Sequence, residues 1–291
     1  MDYIKPREVL NAMIESGKNK AELSILQLLV RGSLGGAILA CATTLAFTAA
    51  AQTGIPMVGA IIFPVGFVMI ILLGLELVTG SFALIPLAVL EKKTTTKRML
   101  NNYLWVIFGH LLGCAVYAVL YGLTITKMGT DMSHPMIQTL INTSEAKTIA
   151  YKNMGGDGML LVIIKAMLCN WMVTLGAVMA MTSSSTSGKI IAMWLPILTF
   201  FGQGFEHTVV NMFVIPAGMM LGASVSFGDW WLWNGIPVLL GNFIGGVLFT
   251  GILFYLSQKN FKGSRLTPAS DVSTGRGDSV VLEQVVLEKT I

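Results

Sequence analysis

Charge is what this chain has least of. Asp, Glu, Lys and Arg make up 12% of the 291 residues, about half the share usual in soluble domains. That excludes a soluble globular domain, and with 54% hydrophobic residues a polytopic membrane protein fits. The formal net charge is only +4, without a basic stripe or an acidic tail, so no nucleic-acid partner is expected. Cysteine is sparse too: Cys41, Cys114 and Cys169 lie in apolar segments and read as buried packing residues, not disulfide partners. A secretory leader is not apparent, because Asp2, Glu8, Glu15 and Glu22 punctuate the first 30 residues. Histidine occurs three times, and none of His110, His134 and His207 has a second ligand at metal-binding spacing. Neither a metal nor a cofactor is expected. Only Glu206 is at hand as a second catalytic group for His207, which argues against an enzyme.

Apolar spans are what the chain has in quantity. Six fall near 31–51, 58–90, 101–125, 158–181, 190–223 and 233–257, each near or above the ~20 residues a bilayer requires. Residues 1–30 form an amphipathic segment instead. Val9, Leu10, Met13 and Ile14 recur at helical spacing against Lys5, Arg7, Lys18 and Lys20. It suits either an interfacial helix under the transport domain (31–257) or a moving gate. Residues 258–291 are polar and read as a flexible tail. Lys92, Lys93, Lys97 and Arg98 mark the second connection, Lys189 the fourth, and Lys259, Lys262 and Arg265 follow the last span, while the first and fifth connections carry at most Asp229. The positive-inside rule puts both termini in the cytoplasm of a multi-pass protein of the inner or plasma membrane.

One motif is written twice. Gly74-Leu75-Glu76-Leu77-Val78-Thr79-Gly80-Ser81 lies over Gly204-Phe205-Glu206-His207-Thr208-Val209-Val210-Asn211 at an offset of 130, and Ile85-Pro86 over Ile215-Pro216 continues it. Glycine, glutamate and small polar groups do not belong in a lipid-facing helix. The spans that hold them, the second and fifth, are too long for one helix, so each is expected to be two half-helices meeting at the midplane. Gly109 and Gly113 match Gly241 and Gly245, and Arg31 and Leu34 match Lys165 and Leu168. The halves are then spans 1–3 and 4–6. Three is odd, so the fold class expected is an all-α membrane protein with six helices in a 3+3 inverted repeat, with broken helices 2 and 5, as in transporters and channels.

The copies differ at one telling position: Leu77 in the first is His207 in the second. A lone histidine on an apolar face is usually a satisfied core residue, but a broken helix at mid-depth favours function. Apolar burial disfavours the imidazolium, and a nearby anion favours it, so His207 could exchange a proton with an arriving anion. A small carboxylic acid crosses an apolar constriction more cheaply as the neutral acid. Thr79 and Asn211 could orient the substrate or only cap the breaks. Half-helix N-termini facing one site favour an anion. Glu76 and Glu206 are expected to support the breaks by accepting exposed backbone N–H groups, with a proton relay as the rival role. Phe63, Phe67 and Phe200, with Leu77, suit either apolar gates or plain packing. Lys165 either snorkels or draws anions inward.

Four stretches together resemble the formate/nitrite transporter family: Gly204–Met212, Leu75–Gly80, Cys169-Asn170-Trp171-Met172-Val173, and Ile236–Gly246. The resemblance covers roughly residues 1–257. It implies an aquaporin-like protomer in a homopentamer, passing formate, nitrite, hydrosulfide or lactate, coupled to protons or channel-like. It implies that His207 is the central histidine, that Thr79 and Asn211 flank it, and that the constrictions fall on Phe63, Phe67, Leu77 and Phe200. It also implies a vestibule lysine, for which Lys152 and Lys165 are candidates. Val78 departs from the phenylalanine of many relatives and widens one gate. The rival classes are a channel for small neutral solutes, which predicts flux indifferent to pH, and a scaffold with a vestigial pore.

Overall fold

Helix after helix runs through the computed structural model, which describes residues 2–259; its one departure is an isolated β-type bridge between Tyr3 and Ser183. The expected tail 258–291 lies outside the described residues from position 260 onward. First comes α1 (Pro6–Ala21), with proline in its opening turn, where the missing N–H costs nothing. It buries Val9, Leu10 and Met13 of the expected stripe together with Gly17 and Ala21, while Ile14 is half-buried. Ser24 and Gln27 form a capping box at the start of α2 (Ile25–Thr53). Then follow α3 (Pro56–Ile62), α4 (Pro64–Leu72), α5 (Val78–Leu90) and α6 (Thr96–Ile125). The third connection contains two further helices, α7 (Pro135–Ala146) and α8 (Ile149–Met154). His134 followed by Pro135 is the start signal: His134 Nδ1 accepts the Met136 N–H at 3.2 Å. Next are α9 (Gly156–Met179), α10 (Thr186–Gly202) and α11 (Thr208–Met220). The last apolar helix, Phe227–Gln258, comprises α12 (Phe227–Trp230), α13 (Ile236–Gly245) and α14 (Phe254–Gln258), joined by π-helical Trp231–Gly235 and Gly246–Leu253.

Ile25–Thr53, Thr96–Ile125, Gly156–Thr182 and Phe227–Gln258 are each long and apolar enough to cross a membrane. Where the second and fifth spans are expected, pairs of shorter apolar helices occur instead: Pro56–Leu72 with Val78–Leu90, and Thr186–Gly202 with Thr208–Met220. Gly109 and Gly113 of α6 and Gly241 and Gly245 of α13 serve close packing. A Cβ at Gly113 would lie 1.9 Å from the Ser33 carbonyl oxygen of α2, and one at Gly245 would lie 2.2 Å from that of Met167 in α9. Cys114 and Cys169 are buried as expected, but Cys41 is exposed on the single chain, on the outer face of α2.

Candidate functional site

Both motif copies trace the same backbone path. Gly74 (φ +63°) and Gly204 (φ +64°) turn the chain out of α4 and α10 through the left-handed region that only glycine adopts freely. Leu77 (φ −134°, ψ 112°) and His207 (φ −113°, ψ 121°) are the extended N-cap residues of α5 and α11, each 13 residues long. A leucine cannot cap; His207 can, and its Nδ1 accepts the Val210 N–H at 3.2 Å.

The first amide of each helix is accepted from a neighbouring helix. Val78 N–H donates to His110 Nε2 at 3.1 Å, and His110 Nδ1 donates to the Gly32 carbonyl at 2.8 Å. Thr208 N–H donates to Asn242 Oδ1 at 2.8 Å, and Asn242 Nδ2 donates to the carbonyls of Ala166 (2.8 Å) and Glu206 (2.9 Å). His110 is thus a satisfied core histidine with both ring nitrogens engaged. The next amides, those of Thr79, Gly80 and Val209, have no acceptor among the described residues.

The two helix starts meet through one side-chain contact. Thr79 Oγ1 lies 3.2 Å from His207 Nε2, and both residues are buried. Because Nδ1 accepts from Val210, the neutral ring carries its proton on Nε2 and donates it to Thr79. The His207 ring stacks on Phe200, with centroids 5.5 Å apart. Phe200 meets Phe63 edge-on, and Phe63 stacks on Phe201 at 3.9 Å. Phe63, Phe67, Leu77 and Phe200 are at most 2% exposed. Phe67 points toward Gly176 of α9. Phe201 belongs to this aromatic cluster and was not anticipated from the sequence.

The expected backbone N–H donors to the Glu76 and Glu206 carboxylates are not found among the described residues; both carboxylates accept from side chains. Lys20 Nζ donates to Glu76 Oε1 at 2.9 Å, and Ser81 Oγ reaches Oε2 at 3.5 Å. Lys147 Nζ donates to Glu206 Oε2 at 2.9 Å, Tyr151 to Oε1 at 2.8 Å, Asn211 Nδ2 to Oε2 at 2.8 Å and Asn234 Nδ2 to Oε2 at 3.4 Å. A buried carboxylate needs this compensation. Asn211 therefore serves Glu206, and its amide does not join Thr79 and His207. The lysines that reach the motif are Lys20 and Lys147. Lys152, itself exposed, instead pairs with the half-buried Asp229 at 2.7 Å, and Lys165 lies over the Tyr151 ring.

Beside Glu76 opens a cavity of about 630 Å³, bounded by α1 and lined by Lys20, Arg31 and Lys189 as well as Glu15 and Glu76.

Apolar helices carrying two buried helix starts around a histidine define a membrane transporter or channel, not an enzyme. The chain belongs to the formate/nitrite transporter family, whose model matches residues 7–256. It is 32% identical to an uncharacterized transporter, YrhG, of Bacillus subtilis, over 91% of this chain and 97% of that one. It is 30% identical to the formate channel BtFdhC of Bacillus thuringiensis, over 88% and 96%, and 32% identical to a probable formate transporter of Methanothermobacter thermautotrophicus, over 87% and 96%. Two solved structures share the fold. An FNT family ion channel superposes with TM-score 0.75 at 24% identity, covering 86% of this chain and 98% of that one. A pentameric formate channel with formate bound gives 0.65 at 23%, covering 80% and 97%. Anion transport is the function class.

Proposed function

We propose that this protein carries formate and related small monovalent weak-acid anions across the cell membrane together with a proton, using His207. The observation that carries the reading is the contact of Thr79 Oγ1 with His207 Nε2 at 3.2 Å, between two helix N-termini whose amides of Thr79, Gly80 and Val209 are uncommitted. Helix starts of this kind attract anions. With Nε2–H donated to Thr79, the threonine hydroxyl keeps its own proton to offer to an anion oxygen.

Proton exchange follows from the same geometry. An anion beside Thr79 stabilises an imidazolium that apolar walls alone would not. A second proton enters at Nδ1, which must first release the Val210 N–H. Nε2 then passes its proton through Thr79 to the anion, and the ring is left neutral. The neutral acid passes Phe63 and Phe200 more cheaply than a bare charge. With Lys20 paired to Glu76 and Glu15 to Lys18, Arg31 and Lys189 supply a positive approach through the cavity on that side.

In this reading the matching backbone turns at Gly74 and Gly204 support a 3+3 inverted repeat with broken second and fifth helices, aquaporin-like in plan. The protomers assemble as a homopentamer with both termini cytoplasmic. The test is formate uptake into proteoliposomes: His207→Phe and His207→Asn should abolish it while the assembly remains intact by size exclusion. Unchanged uptake in an intact assembly would refute the role of His207.

A further inference from the structure

Asn170 is fully buried in α9 and takes no part in the proton path. Its Nδ2 donates to two carbonyls, those of Thr79 at 3.1 Å and Asn242 at 2.6 Å. Two acceptors fix which amide atom faces them, because a flipped amide would set an oxygen against both. Its Oδ1 is left without a donor, a cost tolerated only if the other end is needed. Asn242 in turn holds the Thr208 N–H, the Thr208 hydroxyl and the Glu206 carbonyl. One amide thus ties the first turn of α5 to the residue that organises the first turn of α11.

The arrangement at the matching place is weaker. Outside its own helix, the Val209 carbonyl, 130 residues from that of Thr79, meets the Cys114 thiol at 3.7 Å and no other side chain among the described residues. The firm tie is made to the strand of contacts that holds Thr79 against His207.

We propose that Asn170 is a positioning residue for transport: it holds Thr79 within hydrogen-bond reach of His207. The inference rests on the reading of Thr79 and His207 given above. Gly246 offers a second handle: a Cβ there would lie 2.7 Å from Asn170 Nδ2 and 3.0 Å from Phe82 Cβ of α5 and Thr174 Cγ2 of α9, so it pushes the amide aside without changing its chemistry while also pressing on those two helices.

The experiment is a double-mutant cycle on formate uptake in proteoliposomes at two pH values. Thr79→Val and Asn170→Ala are each expected to lower uptake about tenfold or more and to flatten its pH dependence. The double variant should be no slower than Thr79→Val alone, since both remove one device. Gly246→Ala should reproduce Asn170→Ala, and it replaces that variant in the cycle if Asn170→Ala does not assemble. Multiplicative losses in the double variant would overturn the positioning role while leaving Thr79 in the pathway. Unchanged uptake in Thr79→Val alone would overturn the pathway reading itself.

Discussion

Lys147 Nζ lies 2.9 Å from Glu206 Oε2, the separation at which Lys20 Nζ meets Glu76 Oε1. Each lysine comes from a short amphipathic helix or its end, α1 or α7, and the two helices bury matching positions: Val9, Leu10, Met13 and Gly17 in one, Met136, Ile137, Leu140 and Ser144 in the other. The likeness around the two motif copies therefore extends to a helix that precedes each of them.

The two ion pairs are not equally backed. Without Lys147, Glu206 keeps Tyr151, Asn211 and Asn234; without Lys20, Glu76 keeps only Ser81 at 3.5 Å. Lys20→Met should therefore approach the full cost of breaking a buried pair, roughly 3–5 kcal/mol, and Lys147→Met should cost less. Thermal unfolding midpoints in detergent rank the two.

The three histidines should separate cleanly. His110→Asn keeps a donor and an acceptor where Asn242 does the same work, and His134→Asn keeps a good N-cap for α7. Both should retain formate uptake and its pH dependence, which His207→Asn loses. His110→Leu strands the Val78 N–H at the start of α5 and should cost about 1–3 kcal/mol of stability.

Much of this was legible in the sequence. The doubled motif located both helix starts, and the change from Leu77 to His207 singled out the residue that reaches Thr79. What stayed hidden is long-range pairing. Lys20 is 56 residues from Glu76 and Lys147 is 59 from Glu206, and nothing local announces either bond. The match of α1 to α7 lies in burial pattern and not in identity, with Met13 opposite Leu140 and Gly17 opposite Ser144. The bond from the Asn211 amide to Glu206, five residues back, was not legible either, because the motif shows only that position 211 is polar and near the break.

Phe200 stands between Phe63 and the His207 ring. Phe200→Ala should open the constriction and cost about 3–5 kcal/mol in lost packing. Lactate uptake should rise relative to formate uptake; an unchanged ratio would place the constriction elsewhere.

Asp131 tests whether the pH dependence is confined to the pathway. Lys127 Nζ at 2.7 Å, together with the hydroxyl and amide of Ser133, holds its carboxyl well below the usual range. A depressed folded value means that its stabilisation is fully present above the ordinary aspartate pKa of about 4 and is lost only as pH falls through the lower value. Asp131→Asn should leave the pH profile of uptake between about 5 and 8 unchanged.

The central claim is that anion and proton cross together. It is tested most directly by recording formate uptake and proton movement in the same proteoliposomes while the membrane potential is clamped at several values. One proton should enter with each formate, at a rate independent of voltage and lost in His207→Phe. A formate current that follows the voltage without proton entry would contradict it.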